Sequence, residues 1–137
     1  MDANLICKDN LTYQFIKELI DSAYFDCKIE EDCILVDDKI QLSIVIEENK
    51  RSITFGAFYL YEDIPLDEKI KLANDFSFKY QCLTCTIQNE TICISHEMWC
   101  QDGVTKKNFI TFLRVFADSV NDAVLDIFGY SEGVGEI

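Results

Sequence analysis

The chain has 137 residues, 49% of them hydrophobic and 12% aromatic, and its 25 acidic side chains outnumber 12 basic ones to give a net charge of −13. That length is one domain's worth, and the apolar content supports a core burying roughly two-thirds of the unfolded surface, which excludes a disordered tail protein. The acidity speaks against nucleic acid and anionic lipid, both polyanions, and favours a basic peptide, a basic protein or a divalent cation.

The first element reads as a helix from about Asn10 to Tyr24, with Asp9 or Asn10 as its N-cap. Leu11, Phe15, Ile16, Leu19, Ile20 and Ala23 form its apolar stripe, opposite Gln14, Lys17, Glu18 and Asp21. Three strands are expected next, at Cys33 to Asp37, Ile40 to Glu47 and Ser52 to Tyr61. The middle one alternates, with Ile40, Leu42, Ile44 and Ile46 on one face. Polar turns at Asp37-Asp38-Lys39 and Glu48-Asn49-Lys50-Arg51 connect them into an antiparallel meander.

Pro65 opens a second helix, where a missing N–H costs nothing. It is expected to run to Phe76 or Ser77 and to bury Leu66, Ile70, Ala73 and Phe76. Two strands follow, Tyr80 to Gln88 and Thr91 to Trp99. A long helix then runs from Lys106 to about Phe128, with Thr105 as N-cap, Val104 closing on Phe109 as a staple, and Gly129 as terminator. The expected fold is α+β, a twisted antiparallel sheet with helices packed on it, in the order α-β-β-β-α-β-β-α. No linker-like stretch or repeat divides the chain, so residues 1–137 read as a single domain with its core at about 8–129 and a flexible tail at 130–137.

The first ten residues carry Asp2 and Asp9 and no apolar run, unlike a targeting signal. No segment approaches the ~20 apolar residues of a membrane helix. Seven cysteines, an odd number set among strong apolar patterns, fit buried thiols in a reducing compartment. The expected location is cytoplasmic.

Cys82-Leu83-Thr84-Cys85, followed by Cys93, His96 and Cys100, raises the question of zinc or a Cys/His nucleophile. Register argues against both. Leu83, Cys85 and Ile87 are apolar at odd positions, while Ile92, Ile94 and Met98 are apolar at even ones. A two-residue loop at Asn89-Glu90 puts both sets on one face, pairing Gln88 with Thr91, Ile87 with Ile92 and Cys85 with Ile94. Cys82 and Cys85 then point to opposite faces, and the outer thiols Cys82 and Cys93 stand roughly 13 Å apart. His96 falls opposite Leu83 on the core face. With no phosphate loop, nucleophile elbow or Walker-type lysine either, no catalytic residue, metal ligand or cofactor is expected, and the chain reads as a binding protein, not an enzyme.

The acids are unevenly placed. Eight lie between Asp26 and Glu48 against Lys28 and Lys39, and no basic residue follows Arg114. Asp118, Asp122 and Asp126 recur at i, i+4 and i+8 on one face of the last helix, where like charges and the negative dipole end both disfavour them. This face, bordered by Val115 and Leu125, is the expected partner surface. A solvated helix face would explain the same pattern.

The stretch Gly103-Val104-Thr105-Lys106-Lys107-Asn108-Phe109-Ile110-Thr111-Phe112-Leu113 resembles the start of the last helix of the YbjN family, bacterial proteins often labelled candidate sensory transduction regulators. Leu72-Ala73-Asn74-Asp75-Phe76-Ser77 is similar to that family's helix between the third and fourth strands. In element order the resemblance spans about residues 5–128. It implies a fold shared with type III secretion chaperones, no cofactor, and a non-enzymatic regulator or adaptor that binds a protein partner, with a homodimer expected. The alternative it carries is a secretion-type chaperone holding an exported effector along a sheet edge or helix surface. A small Cys/His metal-binding or enzymatic domain is the third reading.

Overall fold

The computed structural model describes residues 4–49 and 51–129; the tail at 130–137, expected to be flexible, lies outside the described residues. Three helices, α1 (Tyr13–Ser22), α2 (Leu66–Lys79) and α3 (Lys106–Phe128), pack on an antiparallel sheet. A short ladder apart from that sheet joins β1 (Leu5–Ile6) to β8 (Val104–Thr105), just before α3. The sheet itself has six strands, β2 (Asp26–Ile29), β3 (Ile34–Asp37), β4 (Gln41–Ile46), β5 (Ser52–Tyr59), β6 (Thr84–Gln88) and β7 (Thr91–Trp99), in the order β2-β3-β4-β5-β7-β6.

Alternation along the strands decides which face is covered. Val36, Leu42, Ile44, Ile53, Phe55, Ile92 and Ile94 are fully buried beneath the helices. Phe55 anchors α3, with its ring centroid 4.8 to 5.8 Å from those of Phe109, Phe112 and Phe116. The opposite face carries Val45, Thr54, Phe58 and Glu97, and no described element covers it.

The last helix has the expected bounds. Thr105 Oγ1 accepts from Asn108 N at 3.0 Å, and Gly129 closes the helix at φ 73°, a left-handed conformation that glycine adopts without a Cβ clash. The meander also forms as read from the alternating pattern, through β3, β4 and β5.

Four expectations are corrected. The first helix starts at Tyr13, capped by Thr12, whose Oγ1 accepts from Phe15 N at 3.1 Å. Asn10 is used upstream instead: its side chain accepts from Cys7 N and donates to Leu5 O, closing a 3-10 turn over Lys8–Asn10. Second, an additional strand, β2, follows α1. Tyr24 takes a left-handed φ of 67° and turns the chain back, so that Cys27 pairs with Val36 and Ile29 with Ile34.

Third, α2 runs on to Lys79, a turn occupies Tyr80 to Leu83, and β6 begins only at Thr84. Fourth, α2 buries Lys69, Ala73 and Phe76, leaving Leu66 and Ile70 exposed at 43% and 47%. The Lys69 ammonium, only 3% exposed, donates to the carbonyls of Leu60 (2.6 Å) and Glu90 (2.8 Å). Two chain carbonyls that a methylene side chain would leave unsatisfied thus turn a lysine inward.

Candidate protein-binding surface

The Cys/His hairpin has the register that alternation requires: Gln88 pairs with Thr91, Ile87 with Ile92, Thr86 with Cys93 and Cys85 with Ile94. Its loop residues Asn89 and Glu90 take φ of 51° and 65°, the positive values of a two-residue hairpin turn. His96 pairs with Phe55 across β5, and its ring lies 4.8 Å from that of Phe112. Its Nδ1 is 2.9 Å from the Cys82 carbonyl oxygen, a contact that places a proton on Nδ1.

Burial raises the pKa of Cys27, Cys33, Cys85, Cys93 and Cys100 and favours their protonated form. Cys85 is pushed up to about 12 by burial, and Cys93 and Cys100 rise for the same reason. Cys27 reaches about 11, through burial and then through its hydrogen bond to Asp21 Oδ1. Thiols in that state are poor nucleophiles and poor metal ligands. Among the described residues, no three His, Cys, Asp or Glu side chains gather closely enough to hold a metal ion.

The acids behave differently. On α3, Asp118 Oδ1 lies 3.0 Å from Lys39 Nζ, and Asp126 Oδ2 accepts from Lys79 Nζ and from Tyr80 OH, each at 2.6 Å. Lys79 first, and Tyr80 second, hold the Asp126 carboxyl below its usual range. Asp118, with weaker help from Asp122 and Asp38, holds the Lys39 ammonium above its own. Asp122 sits between the two bridged aspartates, one helical turn from each. Val115 and Leu125, 52% and 48% exposed, flank the same side of the helix.

Asp118 also stands at the rim of a cavity of about 440 Å³ between the end of α1, the β3–β4 turn and α3. Its lining includes Asp26, Asp37, Asp38 and Asp118 against Lys39 and Arg114, four acids to two bases. Asp26 and Asp37 are direct cross-strand partners, and like charges in that position repel. The Arg114 guanidinium stacks 5.2 Å from the Phe25 ring centroid, and Tyr24 projects from the rim 97% exposed.

The structure therefore brings together two acidic regions that are far apart in the chain. Of the residues expected to bind a partner, Asp118 belongs to the cavity, while Asp122, Asp126, Val115 and Leu125 extend from it along α3. Asp26, Asp37, Asp38, Arg114 and Tyr24 were not among those candidates. The charge density between Asp26 and Glu48 was visible in the sequence, but only the unanticipated strand β2 sets Asp26 against Asp37.

No protein-family model matches the chain, and no curated protein matches it. Among solved structures it is similar to the crystal structure of YbjN from E. coli, described there as a candidate transcription regulator. The TM-score is 0.69, the sequence identity is 12%, and the match covers 85% of this chain and 90% of that one. The chain has a YbjN-like fold. At that identity the likeness concerns architecture alone. Among the described residues no helix is long and apolar enough to cross a membrane.

Proposed function

We propose that this YbjN-like chain is a non-enzymatic regulator or adaptor that docks a basic segment of a partner protein in the acidic cavity beside α3. The observation that carries the reading is the juxtaposition of Asp26, Asp37 and Asp38 with Asp118 around one cavity. A Lys or Arg side chain entering there would relieve the Asp26–Asp37 repulsion, and exposed Tyr24 offers it an aromatic face. The α3 row from Asp118 to Asp126 would extend the contact along the partner. The net charge of −13 opposes direct contact with DNA, so regulation would act through protein.

The test is titration with Lys/Arg-rich and Glu/Asp-rich peptides of equal length. Salt-sensitive binding of the basic peptide that falls in Asp37→Asn/Asp118→Asn supports the reading. Equal binding by that variant, with its fold retained, would remove the cavity as the docking site. A chaperone role has one observation in its favour, the uncovered sheet face carrying Val45 and Phe58. It predicts that the chain holds a partly unfolded exported protein, and that Phe58→Ser lowers this capture while peptide binding at the cavity is unchanged.

A further inference from the structure

We infer that Cys7 and Cys100 are a disulfide-forming pair, a redox modification site that staples the N-terminal segment to the turn before α3. Leu5 pairs with Thr105 and Ile6 with Val104 in the β1–β8 ladder. Cys7 follows with an extended backbone, φ −142° and ψ 175°, so the same register carries it opposite Gly103. Gly103 N in turn donates to Cys100 O at 3.1 Å, closing a four-residue turn whose ends lie within about 7 Å of each other. Gly103 therefore neighbours both cysteines and puts no side chain between them; a Cβ there would meet Leu5 Cδ1 at 3.3 Å.

Both backbones are held in place. Asn10 Oδ1 accepts from Cys7 N at 2.8 Å, and Asn10 N donates to Cys7 O at 3.1 Å. Cys100 N donates to Arg51 O at 2.8 Å, and its Sγ donates to the same oxygen at 3.5 Å. Burial first, and then Cys7, pushes the Cys100 thiol up, so the two sulfurs are close enough to sense each other. The sheet cysteines are placed differently. Cys27 stands opposite Val36, while Cys85 and Cys93 occupy adjacent rows of the β6–β7 ladder and point to opposite faces.

A peroxide meets Cys7 first, because Cys7 is half-buried and Cys100 only 1% exposed. The Cys7 sulfur gives up its proton and attacks one peroxide oxygen; the O–O bond breaks, and the departing oxygen takes the proton and leaves as water. Cys7 is then a sulfenic acid. The Cys100 sulfur, losing its own proton, displaces that hydroxyl as a second water and forms the S–S bond. Two thiols are oxidised, one peroxide is reduced to two waters, and a dithiol reductant reverses the bond. In the reduced chain a ladder of two residues holds β1 to β8, whereas the bond closes the loop containing α1, α2 and β2 to β7. This site is independent of the acidic cavity, so the two readings stand or fall separately.

Treatment of the whole folded chain with hydrogen peroxide, followed by non-reducing peptide mass spectrometry and thermal unfolding, tests it. A cross-linked Cys7–Cys100 peptide, two hydrogens lighter than the reduced pair, is expected as the main product. The thermal midpoint should rise by roughly 10 °C, and a dithiol should restore the starting value. Cys7→Ser, a change at a half-buried position, should lose both the cross-link and the shift, while Cys82→Ser keeps both. Cys100→Ala checks the same bond from its buried side. A Cys82 sulfonic acid or a Cys82-linked dimer as the main product would overturn the proposal. So would a Cys7–Cys100 bond that forms only after denaturation, or one that leaves the midpoint unmoved.

Discussion

Lys39 Nζ, on the turn between β3 and β4, lies 3.0 Å from Asp118 Oδ1 on α3, and that one contact joins the acidic strand region to the acidic helix face. Both side chains are more than half exposed, so the pair adds little to stability. Its effect is positional. It draws Asp118 towards Asp37 and Asp38 and concentrates negative charge at one place on the surface.

Asp118→Asn should therefore leave the thermal midpoint nearly unchanged while weakening the binding of a basic peptide. Lys39→Ala should strengthen that binding, because it removes a competing cation from the cavity. Calorimetric titration at low and high salt checks both, and an unchanged affinity in the two variants would contradict the charge argument.

Asp126 gives a pH signature. Its folded-state pKa lies below the ordinary 3.8, held down by Lys79 and then Tyr80, so its contribution to stability is complete above 3.8 and disappears as pH falls through the folded value. Asp126→Asn should narrow the stability difference from wild type as pH drops from neutral to below 3.8. Carboxyl carbon NMR titration should place the wild-type midpoint of Asp126 under 3.8.

Thiol reactivity should follow burial. Cys82 is exposed, whereas Cys85 and Cys100 are buried with raised pKa values. Alkylation at neutral pH, followed by peptide mass spectrometry, should mark Cys82 early and Cys85 and Cys100 only after denaturation. Rapid labelling of Cys85 in the folded protein would contradict the hairpin packing.

Lys69→Met should be among the more damaging single changes on α2. It keeps the aliphatic stem but leaves the carbonyls of Leu60 and Glu90 without their donor, at a cost of roughly 1–3 kcal/mol. Urea unfolding should report this as a lower midpoint at constant slope. By contrast, Ile70→Ser on the same helix should cost little in the monomer, since Ile70 is 47% exposed.

Where a feature depends on neighbours in the chain, the residues alone determined it. Thr105 caps α3 because its hydroxyl reaches an N–H three residues on, and Gly129 ends it because the stop needs a left-handed residue. The β6–β7 register followed from two alternating runs and a loop of two residues, since a slip of one would turn every apolar side chain outward. The element order that resembles YbjN was legible for the same reason, and the architecture agrees with it.

Tertiary structure decided what depends on a distant surface. β2 reads as polar because it is an edge strand, and only β3 gives its four residues a ladder to join. On α2, Ala73 and Phe76 are core as expected, but Leu66 and Ile70 only look like core, and the carbonyls of Leu60 and Glu90 select Lys69 instead. The acidic cavity needed both effects. Charge density along a chain is local, but a binding site depends on separation in space, and only the folded path from Asp26 through Lys39 to Asp118 supplies that.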